Sequence, residues 1–261
     1  MYLAPPHWTA KLSKNSVLPP MVILCGGLGT RLRAAVSDRP KPMALVEGRP
    51  FLEHLLEYHR AQGVQQFVLC AGYMGEQIRD HFADWAGVHT RIELRPLGTA
   101  GSVAAAASEL GAPWFFVANG DSFCDVDLAA LWVASLERRA LGSLTVVSVR
   151  NTGEYGTLRF DLEHRLTGFQ EKPSPSEDQC WVNAGVYVFS RELAESLPLD
   201  GGSLEREVFP QLTASGRLYV QPGRSGLLDI GTPERLAGAE AALKRLNRMR
   251  DHDLEVHRAA G

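Results

Sequence analysis

Residues 23–43 read ILCGGLGTRLRAAVSDRPKPM. An unbroken apolar run from Met21 to Cys25 gives way to Gly26, Gly27 and Gly29, and then to Arg31, Arg33, Arg39 and Lys41. A strand without polar alternation is one buried on both faces, the habit of parallel sheets covered by helices. The first half of the chain repeats that pattern. Gln66–Ala71, Thr90–Leu94 and Trp114–Ala118 are expected strands. Between them, Phe51–Gln62 (stopped by Gly63), Glu76–Trp85 and Thr99–Leu110 are expected helices. The alternation predicts an α/β fold with a doubly wound, mostly parallel sheet. The second half is more mixed, with strands expected at 143–150, 156–161, 166–170 and 181–189, and helices at 203–213 and 233–249. No internal repeat or clear linker interrupts it, so a single domain is expected. Such sheets bind ligands beyond the carboxyl ends of their strands. Both the glycine loop and the loop NGDSFCD (119–125) fall there.

The bulk properties narrow the field. With 261 residues and 45% apolar content, the chain can bury one large core. A formal net charge of −3 argues against nucleic acid as a partner. No run of about 18 apolar residues occurs, so no membrane span is expected. The cysteines (Cys25, Cys70, Cys124, Cys180) lie far apart with no C-x-x-C pair, and read as buried reduced thiols of a cytoplasmic protein. His54 and His59 are five apart and do not share a helix face as a zinc-binding pair would. Residues 1–20 lack the apolar core of a signal peptide and are rich in proline. They are expected to form a poorly ordered leader before a domain spanning 21–261, with Met21 an alternative start position.

Two familiar phosphate loops fail on the glycine stretch. No Lys-Ser or Lys-Thr follows the glycines, so it is not G-x-x-x-x-G-K-[ST]. The pattern G-x-G-x-x-G begins at Gly27 and Gly29 but meets Leu32 at its third position. What remains is G-G-x-G-T-R-L with a Lys-Pro pair ten residues after Arg31. Glycines let a backbone approach phosphate oxygens and present N–H groups to them. An ordinary strand-to-helix turn with a solvated basic face stays open as the other reading.

The segment GGLGTRLRAAVSDRPKPM resembles the signature of the sugar-1-phosphate nucleotidylyltransferases. Six further segments occur in the family's order: PLGTAGS (96–102), NGDSFCD (119–125), YGTL (155–158), FQEKP (169–173), NAGVYVF (183–189) and DIGTP (229–233). The resemblance covers roughly 21–240. It implies a Rossmann-like, GT-A-like nucleotidyltransferase domain that joins an NTP and a sugar 1-phosphate, releasing pyrophosphate. These two small molecules would be its partners, and a homo-oligomer is left open.

By resemblance, Asp121 and Asp229 hold Mg²⁺, the implied cofactor; a turn-capping role for Asp121 and a helix-capping role for Asp229 are the alternatives. Arg31 matches the residue that grips the triphosphate, Lys41 the one that reaches the reacting phosphates, and Lys172 the one on the sugar phosphate. Gly26, Gly27, Gly29 and Thr30 form the phosphate loop. Gly156, Glu171 and Asn183 match sugar-contacting positions; an exposed hairpin pair is the other reading of Glu171-Lys172. Gly98 and Gly101 are expected against the base, with Glu93 near its edge. Asp127 is expected to start a helix, and Arg33 and Arg39 to face solvent or structural carboxylates.

A carboxylate at Glu93 would accept both N1–H and N2–H₂ of guanine, whereas uracil and thymine offer one N–H; an exposed strand residue is the alternative. The pattern LGTRLR-x-x-VSD-x-PKPM, with YGT and SLEREVFP, most resembles the D-glycero-α-D-manno-heptose 1-phosphate guanylyltransferases, which supply bacterial surface glycans. GDP-mannose enzymes are the nearest alternative. CAGYMGEQIRDHF (70–82) also resembles glucose-1-phosphate cytidylyltransferases, which keeps CTP open.

Overall fold

The computed structural model describes residues 17–33, 35–149, 156–170, 180–224 and 226–245. Glu171, Lys172, most of the leader and the chain beyond 245 lie outside the described residues. In chain order the strands of the first half are β1 (Met21–Leu24), β2 (Leu45–Val46), β3 (Arg49–Pro50), β4 (Phe67–Ala71), β5 (Val88–Ile92) and β6 (Trp114–Asn119). Its helices are α1 (Phe51–Ala61), α2 (Gly75–Phe82) and α3 (Gly98–Leu110). There follow β7 (Ser122–Phe123), α4 (Leu128–Glu137), β8 (Gly142–Val149), β9 (Thr157–Phe160), β10 (Leu166–Gln170), β11 (Cys180–Ser190) and α5 (Arg191–Glu195). A π-helical turn (Leu204–Val208) leads into α6 (Phe209–Thr213), β12 (Leu218–Pro222) and β13 (Leu228–Asp229). A last helix, α7, covers residues 233–245.

The apolar strands sit where two-sided burial puts them. β1 pairs in parallel with β4 and β6, and β4 in parallel with β5. Strand alternation then sends Met21, Ile23, Phe67, Leu69 and Phe116 into one core, shared with Phe51 and Leu55 of α1. Val22, Val68, Phe115 and Val117 enter the other, shared with Val103 of α3 and with Phe209. β11 joins β6 in antiparallel fashion and also pairs with β8 and β9, so the sheet forks there. Nine strands result, in the order β10-β9-β11-β6-β1-β4-β5, with β8 on β11 and β12 on β8.

Three boundaries differ from expectation. Leu18 and Pro19 are buried and Phe116 N–H donates to Pro20 O, so packing begins before Met21 and the leader reading does not extend through residue 20. β5 starts at Val88, opposite Phe67, which leaves Glu93 beyond the strand end. The helix expected at 203–213 is interrupted, because Pro210 has no N–H to continue it and Val208 and Phe209 reach back five residues instead, to Ser203 O and Leu204 O.

Candidate active site

The glycine loop leaves the carboxyl end of β1. Cys25 N–H still donates to Cys70 O (2.8 Å), and the chain then turns away. A Cβ on Gly26 would stand 3.3 Å from Glu93 Oε2. Gly29 has φ +58°, and a Cβ there would meet Lys41 Cβ at 3.1 Å, so two demands fall on one residue. Gly29 O accepts from Leu32 N–H and Arg33 N–H, forming one helical turn. Leu32 pins that turn in the core, which leaves Thr30 and Arg31 exposed. Arg33 stacks over Tyr73 (4.2 Å to the ring centroid), and Arg39 pairs with Asp38 (2.7 Å), as expected for cations outside the centre.

Lys41 opens a 3₁₀ turn between Pro40 and Pro42. Its Nζ lies 2.6 Å from Asp121 Oδ2 and 3.9 Å from Asp229 Oδ1. The two aspartates are brought together by two-residue strands: β13 pairs with β7, setting Asp229 opposite Ser122, and Ile230 N–H donates to Asp121 O (3.1 Å). Asp229 Oδ1 also accepts from Gly231 N–H, and its Oδ2 accepts from Arg235 Nη1 at 2.9 Å. Asp229 therefore does not cap α7; Thr232 Oγ1 accepts from Arg235 N–H there. A Cβ on Gly231 would fall 2.6 Å from Asp229 Oδ1 and 3.1 Å from Lys41 Nζ, so a side chain there would push on both groups of the centre. The donor set is hard carboxylate oxygen around a cation, with no cluster of three or more His, Cys, Asp or Glu among the described residues. Arg235 had no sequence signal beyond its place after the DIGTP segment.

A cleft of about 330 Å³ opens beside this centre. Gly26, Gly27, Leu28, Glu93, Gly98, Thr99, Asn119, Asp121 and Glu205 are among its walls. Glu93 Oε1 is buried and has no hydrogen-bond partner among the described residues, although Glu93 N–H is tied to Ala71 O (2.7 Å). Gly98 reaches the cleft wall, but its glycine requirement has a further source: with φ +64°, a Cβ would collide with Gly202 O at 2.3 Å. Gly101 packs against Gly201, where a Cβ would stand 3.2 Å from Gly201 Cα, rather than forming part of the wall.

Asn183 lies on β11 where its register shifts against β8, and Gly185 at the shift has φ +74°. Gly156 and Asn183 each lie one residue beyond the Thr157–Val182 pair, the last of the β9–β11 register. Asn183 Nδ2 donates to Tyr187 Oη (2.7 Å), and Tyr187 Oη donates to Glu205 Oε1 (3.3 Å). Thr99 Oγ1 and Ser203 Oγ both donate to Glu205 Oε2, at 3.1 and 3.0 Å. Glu205 is not among the expected site residues, although its segment SLEREVFP is one of those that carry the resemblance; the residues alone predict only a helix there.

The thiols supply no nucleophile. All four are buried and outside any disulfide, and burial, with Cys70, Asp121 and Glu93 nearby, holds the Cys25 thiol well above its ordinary pKa. Asp127 accepts from Ala130 N–H (2.9 Å) and caps α4, so it is not at the centre.

Comparisons with known proteins agree with this fold. The family model described as Nucleotidyl transferase matches residues 21–245. A mannose-1-phosphate guanylyltransferase of Mycobacterium tuberculosis is 38% identical over 232 residues, covering 86% of this chain and 64% of that one. The chain thus spans a little under two thirds of that relative. A D-glycero-alpha-D-manno-heptose 1-phosphate guanylyltransferase of Campylobacter jejuni is 32% identical over 220 residues, covering 82% and 95%. The crystal structure of HddC from Yersinia pseudotuberculosis complexed with GMP-PN superposes with a TM-score of 0.76 at 33% identity, over 87% of this chain and 100% of that one. A sheet forked at β11, a glycine loop at its carboxyl edge and a lysine between two aspartates thus occur in a chain matched along most of its length, which belongs to the nucleotidyl transferase family.

Proposed function

We propose that this chain transfers GMP from GTP to D-glycero-α-D-manno-heptose 1-phosphate, giving a GDP-sugar and pyrophosphate. The observation that carries the guanine reading is the Glu93 carboxylate: Glu93 lines the cleft, and its buried Oε1 has no hydrogen-bond partner among the described residues. A buried carboxylate oxygen calls for a donor, and the N1–H and N2–H₂ edge of guanine supplies two. Relatives named as guanylyltransferases, and HddC crystallised with GMP-PN, support the same base. For the sugar, the support is the LGTRLR-x-x-VSD-x-PKPM pattern together with the heptose enzymes among the relatives. Mannose 1-phosphate is the second reading, favoured by the 38% identity to the mycobacterial enzyme.

The chemistry asks for charge management rather than a base. A phosphate monoester has its second pKa near 6, so the sugar-phosphate oxygen is already largely ionised near pH 7. That oxygen attacks the α-phosphorus in line, and the bond to pyrophosphate breaks. Backbone N–H groups of the glycine loop and Arg31 receive the triphosphate, Lys41 reaches the reacting phosphates, and Lys172 holds the sugar phosphate. Glu171, Gly156 and Asn183 receive the sugar hydroxyls. Asp121 and Asp229 fit Mg²⁺ by donor chemistry: they are two hard carboxylates that already share a cation, the Lys41 ammonium. Bound there, Mg²⁺ would screen phosphate charge and orient the reacting oxygens.

No helix among the described residues is long and apolar enough to cross a membrane. We place the enzyme in the cytoplasm, making a donor for surface glycans. Pyrophosphate release with GTP and a panel of sugar 1-phosphates tests the sugar. The manno-heptose is expected to lead mannose by roughly tenfold or more in kcat/KM; the reverse order would establish the second reading.

A further inference from the structure

The segment 201–208 is docked on the first turn of α3. Gly202 O accepts from Ala100 N–H (3.0 Å), and Thr99 Oγ1 accepts from Leu204 N–H (2.8 Å). The π-helical turn that follows carries Glu205 onto the cleft wall. Such turns recur at functional sites because they re-aim side chains. Each oxygen of Glu205 has its own donors: Oε2 takes the Thr99 and Ser203 hydroxyls, and Oε1 takes Tyr187.

Hydrogen-bond direction along the Tyr187 branch is forced. A carboxylate only accepts, so the Tyr187 hydroxyl must donate to it. That leaves the Tyr187 oxygen lone pairs for Asn183, so the amide must turn Nδ2 toward it (2.7 Å). The other end of the amide is fixed independently: Gly185 N–H donates to Asn183 Oδ1 (3.0 Å) at the register shift of β11. Burial, reinforced by Glu205, holds the Tyr187 hydroxyl well above its ordinary pKa, so it remains a donor. Both ends of the chain therefore select one amide orientation.

We propose that Glu205 is a positioning residue for the sugar subsite: by accepting from Tyr187 it orients the Asn183 amide, leaving one N–H and one oxygen lone pair of that amide for adjacent sugar hydroxyls. The inference rests on the reading above that Asn183 meets the sugar. Glu205 itself touches neither substrate in this assignment. Its effect is confined to the sugar side because a glutamine in its place can keep its carbonyl oxygen toward Thr99 and Ser203. The glutamine NH₂ then faces Tyr187, whose hydroxyl must reverse and donate toward Asn183.

Glu205→Gln and Tyr187→Phe in the full chain test this with two readouts. The first is the pair of Asn183 side-chain ¹⁵N–¹H resonances, identified by their absence in Asn183→Asp. They are expected to move in both variants. The second is steady-state kinetics with the best NTP and sugar 1-phosphate of the wild type. The sugar KM is expected to rise roughly tenfold in Glu205→Gln while the NTP KM stays within about twofold. Unmoved resonances overturn the inference, as does a sugar KM within twofold of wild type, or an equal loss on both substrates, which a merely structural role would give. A wild-type chain that turns over no sugar 1-phosphate removes the proposed function instead, and the resonances still decide whether Glu205 orients Asn183.

Discussion

Lys41 Nζ lies 2.6 Å from Asp121 Oδ2, joining the turn after the glycine loop to the loop after β6 across the carboxyl edge of the sheet. Both side chains are better placed for phosphate chemistry than for stability. Lys41 is largely enclosed, while Asp121 keeps more than a third of its side chain in solvent. A half-exposed pair of this kind contributes little to folding.

Removing a carboxylate should therefore cost activity and spare the fold. Asp121→Ala and Asp229→Ala are expected to lower kcat by about 10²–10³ or more, the scale of losing one electrostatic stabiliser. Far-UV circular dichroism should be unchanged. Near-normal pyrophosphate release from either variant would remove the two-aspartate site.

Lys41→Met separates the lysine's two roles. It takes a cation away from two carboxylates, so without metal the variant should melt at or slightly below wild type. Added Mg²⁺ should raise its Tm more than that of wild type, since the ion no longer competes with an ammonium. Thermal melts with and without 5–10 mM Mg²⁺, roughly the range that saturates a weak carboxylate site, read this directly. Equal shifts in both proteins would contradict it.

The glycines should separate by what surrounds them. Gly98→Ala forces a methyl onto Gly202 O at a positive φ, and is expected to destabilise by about 1–3 kcal/mol. Gly27 has nothing within 4 Å of a Cβ, so Gly27→Ala should leave the denaturation midpoint unchanged and act, if at all, on the KM for NTP. Chemical denaturation of the two variants side by side distinguishes the cases.

Acid stability should bear the mark of His59, which burial pushes down to about 3. The unfolded chain takes up this proton near pH 6.5 and the folded one does not. Between pH 6.5 and 3 the unfolded state therefore binds more protons, and stability falls as pH falls. The slope from this group approaches about 1.4 kcal/mol per pH unit below 6.5. His59→Leu should flatten that limb while leaving the difference between pH 7 and 8 unchanged, as followed by urea midpoints.

Much of the architecture was legible because the central strands are buried twice over. MVIL, FVLCA and WFFVAN carry no polar alternation, and helices of clear period lie between them. The strand β12 and the hairpin β2–β3 were not foreseen. A two-residue strand has no period to read, and the same is true of β7 and β13, which bring Asp121 and Asp229 together.

The site was legible in part. The structure gathers Lys41, Asp121 and Asp229, and puts Gly26, Gly27, Glu93 and Gly98 on one cleft. Glu205 and Arg235 were hidden because their roles arise from tertiary placement. The reason for glycine at 98 and 101 was hidden likewise, since the clash partner is the distant pair Gly201–Gly202.

The base separates the guanylyltransferase readings from the cytidylyltransferase one, and Glu93 is the residue that would read it. Glu93→Gln should lower the GTP-over-UTP ratio of kcat/KM by about 10- to 100-fold, the effect of turning one buried acceptor into a donor.

Pyrophosphate release by the full chain with Mg²⁺ and manno-heptose 1-phosphate, compared across GTP, CTP, UTP and dTTP, tests the central claim most directly. GTP is expected to exceed every other nucleotide by at least about 100-fold in kcat/KM, consistent with a site built to pair a specific base edge. Equal or faster turnover of CTP or UTP, or no pyrophosphate with any nucleotide, would contradict it.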